Sequence, residues 1–349
     1  MLFLLGEALQ QVYGPFRLLS SHFVVAGAAL VISSLATWLL LPRTSGLLPR
    51  DRGREFAVDK EAALGKPTGA GLVFGIVFAV VGVLTAPLQL AYLGMLACVA
   101  LAMIAGYLDD RSAGGWHEYR KGLVDLAISL VAAVLLCNTD PAQIWLPLTA
   151  EVVTVPPWLC IAGGTVLIWV AINATNCTDG VDGLSGTLAI QALLSLGGLL
   201  YFVLGNVDIS AYLLLPHYAD GAKWAILSFA MVGCLTGYLW YNAHPSQLLM
   251  GDAGSRAVGL LLGVLIIKSG NPFLIFIVSG VLLVNGGTGL IKVALLRFLR
   301  ISIFSKLRFP LHDHMRNNLG WSSPQVMVRF TLVQIMFTLV SLVILIKVR

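Results

Sequence analysis

The sequence predicts an all-α polytopic integral membrane protein, and three observations carry that prediction. Hydrophobic residues make up 58% of the 349 residues and charged residues only 11%, whereas soluble domains average ~45–50% apolar and ~25% charged. Mean hydropathy is +0.88. The apolar residues fall in blocks of about 15 to 25, the length a helix needs to cross ~30 Å of hydrocarbon. This composition excludes a nucleic-acid-binding module, a secreted disulfide scaffold and a disordered chain. The net charge of +5 therefore bears on topology rather than on a polyanion partner.

In chain order, the apolar blocks predict ten transmembrane helices over residues 23–42, 69–86, 88–108, 122–138, 157–174, 184–205, 223–241, 256–268, 273–299 and 328–346. Together they form one membrane-embedded catalytic domain over residues 1–349. Residues 1–20 read as an interfacial helix. Phe23 to Leu41 is too long for a signal-peptide core and lacks a cleavage site after it, so it is expected to be retained. The segments 43–68, 109–121, 242–256 and 292–329 hold 17 of the 22 Lys and Arg residues. All four lie on one side of the ten-helix layout, which makes that side cytoplasmic and puts both termini outside. Externally, Thr139 to Pro156 reads as a short hairpin and Gly205 to Ala222 as a polar loop. The ninth span is long and contains Asn285-Gly286-Gly287-Thr288-Gly289, which permits a kink or a close helix contact. There is no internal repeat. The five cysteines, Cys98, Cys137, Cys160, Cys177 and Cys234, read as small hydrophobes, with no disulfide framework and no metal spacing.

Most acids, among them Asp109, Asp110, Asp179, Asp182, Asp252 and Asp313, map to the cytoplasmic loops or span ends, so the active-site cleft is expected there. Asp109-Asp110 end the third span, where adjacent carboxylates suit a divalent metal or phosphate chemistry, though a solvated helix end would look the same. Asn173, Asn176, Asp179, Asp182 and Gly183 sit in the polar segment NATNCTDGVDGL joining spans five and six. Its glycines allow close approach of a ligand; a purely local Asn/Asp/Gly turn is the alternative. In Met250-Gly251-Asp252-Ala253-Gly254-Ser255, the amides and the Ser255 hydroxyl can face an anion at a helix N-terminus while Asp252 holds a cation or serves only as a cap. Asn242 and His244, just upstream, add hydrogen-bonding groups. His312 and His314 flank Asp313 in the last cytoplasmic loop and can bind metal, donate to phosphate oxygens or move protons. Lys60, Lys66, Lys121, Arg50, Arg52 and Arg54 supply cations on that face, as topology signals or phosphate partners. His22, His117 and His217 have no such company.

The order Asp109-Asp110, NATNCTDGVDGL, MGDAGS and PLHDH before a final span resembles the polyprenyl-phosphate N-acetylhexosamine-1-phosphate transferase superfamily. Within it, KPTGAG (66–71), WYNAHPSQLLMGDAGS (240–255) and PLHDHMRNNLGW (310–321) resemble the phospho-N-acetylmuramoyl-pentapeptide transferases over roughly residues 20–349. The resemblance implies Mg²⁺ as cofactor. It implies UDP-N-acetylmuramoyl-pentapeptide and undecaprenyl phosphate as substrates at the inner face of the bacterial plasma membrane, lipid I and UMP as products, and a homodimer. It makes Asp252 the principal metal ligand, with Asp109 and Asp110 near the metal and the attacking phosphate. Asn173, Asn176, Asp179, Asp182 and Gly183 fall on the nucleotide side, with Lys66, Lys121, Asn242, Leu249 and Met250 nearby. His312 and His314 close the site, and the kinked ninth helix borders a groove for the prenyl chain.

This sequence departs from the family pattern twice. Three consecutive histidines are usual where it has His312-Asp313-His314, and an aromatic residue often stands where it has Leu249, which offers no π face to a nucleobase. The alternative reading nearest in chemistry is a sibling that moves N-acetylglucosamine-1-phosphate onto the same lipid. A more distant one is a secondary transporter, for which mid-membrane charges and inverted repeats are expected instead.

Overall fold

A computed structural model describes residues 2–53, 63–112, 114–137, 142–146, 149 and 151–347; Arg54 and Lys60 lie outside them. The fold is a helical bundle. Its long helices are α1 (His22–Thr44), α2 (Gly71–Thr85), α3 (Leu90–Arg111), α4 (Glu118–Cys137), α5 (Pro157–Thr178), α6 (Leu184–Gly198, extended to Leu204 by a π-helical turn), α7 (Gly221–Asn242) and α8 (Gly251–Lys268). A broken helix, α9, runs in pieces from Leu274 to Leu299, and α10 (Leu311–Leu319) precedes the final α11 (Ser323–Lys347). Residues Leu2–Leu9 are also helical.

Seven helical stretches among the described residues are long and apolar enough to cross a bilayer: His22–Leu47, Leu90–Arg111, Pro157–Thr178, Leu184–Leu204, Gly221–Asn242, Gly280–Leu299 and Ser323–Leu345. Three of the ten expected spans do not reach that standard. Helix α2 has only 15 residues. Helices α4 and α8 carry charges inside their first turns, Arg120, Lys121 and Asp125 on one, Asp252 and Arg256 on the other. Lys121 pairs with Asp252 and Asp125 with Arg256 across the two helices, which is why they fit together inside the bundle, while Arg120 lies over the Trp116 ring.

Helix α8 is the centre of the fold. Every residue from Gly251 to Ile266 is buried, and α2, α3, α4 and α5 pack around it. Close approach depends on two small residues. A Cβ on Gly106 of α3 would run into the backbone of Asp252 and Ala253, and one on Gly71 of α2 into the backbone of Gly254. Outward faces stay apolar and exposed, as in α11, where Leu332, Val333, Met336, Leu339, Val340 and Val343 are uncovered. A stripe of this kind suits lipid contact.

The kink expected in the ninth span is present. Helix α9 breaks at Ser279 and widens into π-helical turns at Leu283–Gly287 and Leu295–Leu299. Backbone groups released at the break are met by Gln334 of α11, which accepts from the Val281 amide at 2.7 Å and donates to the Ile277 carbonyl at 2.9 Å. In hydrocarbon such groups need a protein partner. Tight packing also contributes, since a Cβ on Gly286 would strike the Ala174 carbonyl. The two alternatives for this segment thus hold together.

Between α4 and α5 the expected hairpin forms, with Ala142–Trp145 antiparallel to Val152–Val155 and Ala142 opposite Val155. The cysteine reading needs correction: Cys137 and Cys160 form a disulfide, with Cα atoms 5.9 Å apart. One ends α4 and the other lies in the first turn of α5, so the hairpin brings together two residues 23 apart in sequence. Cys98, Cys177 and Cys234 take no part in a disulfide.

Candidate active site

The N-terminus of α8 is built around Asp110. Gly251 takes φ +71°, the left-handed region that favours glycine, and a Cβ there would collide with the Asp110 carboxylate. The two oxygens of Asp110 accept from the Asp252 amide at 2.9 Å and the Ala253 amide at 3.1 Å. The anion expected at this helix end is therefore supplied by α3 itself, where it satisfies two orphan amides and complements the helix dipole. Ser255 turns back to donate to the Gly251 carbonyl at 3.0 Å instead of facing the cleft.

With α3 and α8 locked in this way, Asp109 and Asp252 meet. Lys121 Nζ lies 2.7 Å from Asp109 Oδ2 and 3.1 Å from Asp252 Oδ2. Arg256 Nη2 lies 2.6 Å and 3.0 Å from the same two oxygens. Asp109 Oδ1 accepts the Trp116 amide at 2.6 Å. Arg256 Nη1 reaches Asp125 Oδ1 of α4 at 3.4 Å. Neither Arg256 nor Asp125 was singled out by the sequence. The only hint was a charge inside an apolar block, which does not disclose its partner across 131 residues.

Beside this network opens a cavity of about 330 Å³ lined by Lys66, Asp179, Asp182, Asn242, His244 and Leu249, with Gly251 and Arg316 also on its wall. The loop between α7 and α8 shapes it. Asn242 accepts from the Gly183 amide and donates to the Leu248 carbonyl, both at 2.9 Å. The Leu249 amide donates to the Pro67 carbonyl at 2.8 Å, which docks the loop on the segment before α2. Asp182 accepts from the Ser246 amide at 3.1 Å and pairs with His244 Nδ1 at 3.0 Å, while Lys66 donates to the Ser246 hydroxyl at 2.9 Å. Burial alone would raise the Asp182 carboxyl; Ser246, Lys66 and His244 outweigh it and hold the group below the usual carboxylate range.

His312 packs behind Gly180 of the cavity wall and does not itself line the cavity. It is buried, its backbone amide donates to Asn285 Oδ1 at 2.8 Å, and its Nδ1 lies 3.0 Å from Asn285 Nδ2. Its Nε2 packs where a Cβ of Gly180 would stand. The asparagine in the kink of α9 thus orients this imidazole, a function the sequence did not reveal. His314 accepts only a long bond, 3.4 Å, from the Arg308 amide and lies outside that clamp. Asn173 donates to Trp169 one turn back in α5 at 2.8 Å. Neither Asn173 nor Asn176 lines the cavity, and Met250 is buried behind it.

A helical membrane protein with carboxylates, cations and an imidazole gathered at one end of the bundle is the architecture of a membrane-embedded transferase, and comparison with known proteins agrees. Residues 92–270 match the family described as glycosyl transferase family 4. The chain is 50% identical over 340 residues to the phospho-N-acetylmuramoyl-pentapeptide-transferase of Treponema pallidum (strain Nichols), covering 97% of this chain and 94% of that protein. It is 30% identical to the protein of the same name from Wolinella succinogenes, over 91% of this chain and 93% of that one. Identity to the Gemmatimonas aurantiaca protein of that name is 32%, over 98% of each. This chain belongs to the phospho-N-acetylmuramoyl-pentapeptide-transferase branch of glycosyl transferase family 4. It is an enzyme, a phosphosugar transferase of peptidoglycan synthesis.

Proposed function

We propose that the chain transfers phospho-N-acetylmuramoyl-pentapeptide from its UDP derivative to undecaprenyl phosphate, giving lipid I and UMP, at the cytoplasmic face of the bacterial plasma membrane. The observation that carries this reading is the junction of two regions: a cavity lined by Lys66, His244 and Arg316 extends to Gly251, the residue preceding Asp252 of the Asp109–Asp252 pair. The cavity's Lys66 and Arg316, set among the acceptors of Asp51, Asp179, Asp182 and Asn242, suit a nucleotide, and the paired carboxylates suit the pyrophosphate through a divalent cation.

The lipid phosphate oxygen attacks the sugar-bearing phosphorus, its bond to the UMP oxygen breaks, and UMP departs with the electron pair. A phosphate monoester has a second pKa of ~6, so the nucleophile is largely ionised near neutrality and needs alignment and charge neutralisation more than a strong base. The donor set fits Mg²⁺, which takes hard oxygen ligands, typically one or two carboxylates completed by substrate phosphates and water. Here two carboxylates, Asp252 and Asp109, lie together, and no group of three or more His, Cys, Asp or Glu side chains suited to a metal occurs among the described residues. Bound there, Mg²⁺ supplies charge stabilisation to the pyrophosphate oxygens and the departing UMP.

The protein's own groups do the rest. Asp110 fixes the α8 N-terminus and so places Asp252. Lys121 neutralises charge on the two carboxylates and is near enough to meet a phosphate oxygen as well. His312, held by Asn285, presents Nε2 beside Gly180 to the transferring phosphate, with His314 further out on the same helix. Asp179, Asp182, Asn242 and Leu249 line the nucleotide side, with Asn173, Asn176 and Met250 supporting its wall. The kinked α9 borders the prenyl groove, and the protein acts as a homodimer with both termini outside. The Cys137–Cys160 disulfide supports that orientation, because it lies at the end of the bundle away from the site, and disulfides persist in oxidising compartments.

The test is UMP release by purified protein given undecaprenyl phosphate and Mg²⁺, with EDTA as control. Turnover of UDP-N-acetylmuramoyl-pentapeptide but not of UDP-N-acetylglucosamine is expected. The reverse preference would keep the chemistry and overturn the substrate.

A further inference from the structure

Arg256 and its partner Asp125 are buried charges, among the described residues, that the proposed chemistry has not used. The Arg256 side chain is 1% exposed. Nη2 bridges Asp109 Oδ2 and Asp252 Oδ2, Nη1 turns the other way to Asp125 Oδ1, and Nε has no hydrogen-bond partner among the described residues. A buried guanidinium is costly unless carboxylates surround it, and its planar fork suits it to span several at once. The partly unsatisfied Nε argues against a group kept for stability alone, because an apolar side chain of similar volume would avoid that cost.

The charges of the network are informative. Asp109, Asp110, Asp125 and Asp252 face Lys121 and Arg256, leaving an excess of two negative charges, the complement of one divalent cation. Removing Arg256 and Asp125 together leaves the same excess, so the two form a neutral insert. Removing either alone changes the charge around Asp252 in opposite directions.

We infer that Arg256, charge-balanced by Asp125, is a positioning residue that holds the Asp109 and Asp252 carboxylates side by side and sets how strongly they attract the divalent cation. The inference rests on the proposed function, which puts Mg²⁺ at those carboxylates. Because Arg256, Asp109, Asp125 and Asp252 are buried, one unit of charge there acts at lower effective dielectric than at the surface. It follows that Asp125→Asn weakens cation binding and Arg256→Met strengthens it while disordering the carboxylates.

The experiment is a titration of the purified protein in detergent with Mn²⁺, followed by electron paramagnetic resonance without substrate. Turnover against Mg²⁺ is measured in parallel on the parent, Asp125→Asn, Arg256→Met, Arg256→Lys and the double variant Asp125→Asn/Arg256→Met. Expected is about a tenfold weaker Mn²⁺ affinity for Asp125→Asn, a tighter one for Arg256→Met, and return to within about threefold of the parent in the double variant. Arg256→Met should lower kcat although its cation affinity rises, and Arg256→Lys should recover affinity but only part of kcat, since an ammonium cannot fork between carboxylates. Single variants that shift Mn²⁺ affinity in the same direction, or leave it unchanged, would overturn the inference and reduce the pair to a packing element. Should Arg256→Met not fold, Asp125→Asn and Arg256→Lys decide alone: unchanged affinity in Asp125→Asn overturns the inference. A parent protein that releases UMP but binds no Mn²⁺ would sink the metal reading and this inference with it.

Discussion

The two halves of the candidate site are built on opposite principles. Around Asp109 and Asp252, the contacting cations are already partnered within the protein, Arg256 fully buried and Lys121 half-buried. Around Asp182 the cavity is open, and its walls include a loop held by single hydrogen bonds: Asn242 accepts from the Gly183 amide, the Ser246 amide donates to the Asp182 carboxylate, and the Leu249 amide donates to the Pro67 carbonyl. The first arrangement fixes geometry before substrate arrives, which is where electrostatic catalysis gains most. The second leaves polar groups for a ligand to engage. Substitutions in the network should therefore change kcat, and substitutions in the cavity should change KM.

The largest effect is expected from Asp252→Ala, which removes one of the two carboxylates shared by Lys121 and Arg256. A loss of at least ~10²–10³ in kcat is predicted while the protein still inserts. Near-parental turnover at saturating Mg²⁺ would remove Asp252 from the chemistry. Next comes His312→Ala, with kcat lower by ~10². Asn285→Ala, which frees the imidazole without deleting it, should show a smaller loss in the same assay. An unchanged rate in His312→Ala would leave that histidine as packing on Gly180.

On the cavity side, Asp182→Asn should raise KM for the nucleotide by ~10-fold, about the worth of a charge-assisted hydrogen bond, with kcat nearly unchanged. Its pH behaviour has a defined sign. Folding holds this carboxyl below its ordinary ~3.9. The stability it contributes is thus present above that value and lost only as pH falls through the lower folded one. Between pH 5 and 8, KM should show no step that disappears in Asp182→Asn; such a step would contradict the assignment. The smallest effect is predicted for Leu249→Phe, where an aromatic face gains ~0.5–1.5 kcal/mol of stacking and lowers KM by ~2–10-fold. A raised KM would mean that the cavity is shaped around the aliphatic side chain.

Much of this division was legible in the sequence, because hydropathy blocks and runs of polar residues at their ends are local signals. The helical bundle, the hairpin between α4 and α5, the kink near Asn285 and the gathering of Asp109, Asp252, Lys121 and Asp182 at one end all follow from them. What escaped was pairing across distance. Arg256 looked like a stray charge at the start of a span until α4 delivered Asp125 to it, and Asn285 looked like part of a glycine hinge until α10 laid His312 against it. Cys137 and Cys160 read as apolar residues because nothing local shows that the hairpin joins their helices. Asp110 was read with Asp109 as one carboxylate pair, yet a helical step of ~100° per residue sends neighbours in different directions, one to the cations and the other to the α8 amides.

The most direct measurement is calorimetric binding of UDP-N-acetylmuramoyl-pentapeptide to Asp252→Ala and to Asp182→Asn, set beside their turnover. If the site is divided as its geometry indicates, Asp252→Ala binds the nucleotide within a fewfold of the parent yet releases no UMP, whereas Asp182→Asn binds it more weakly and turns over at saturation. Loss of nucleotide binding in Asp252→Ala together with full affinity in Asp182→Asn would contradict that division.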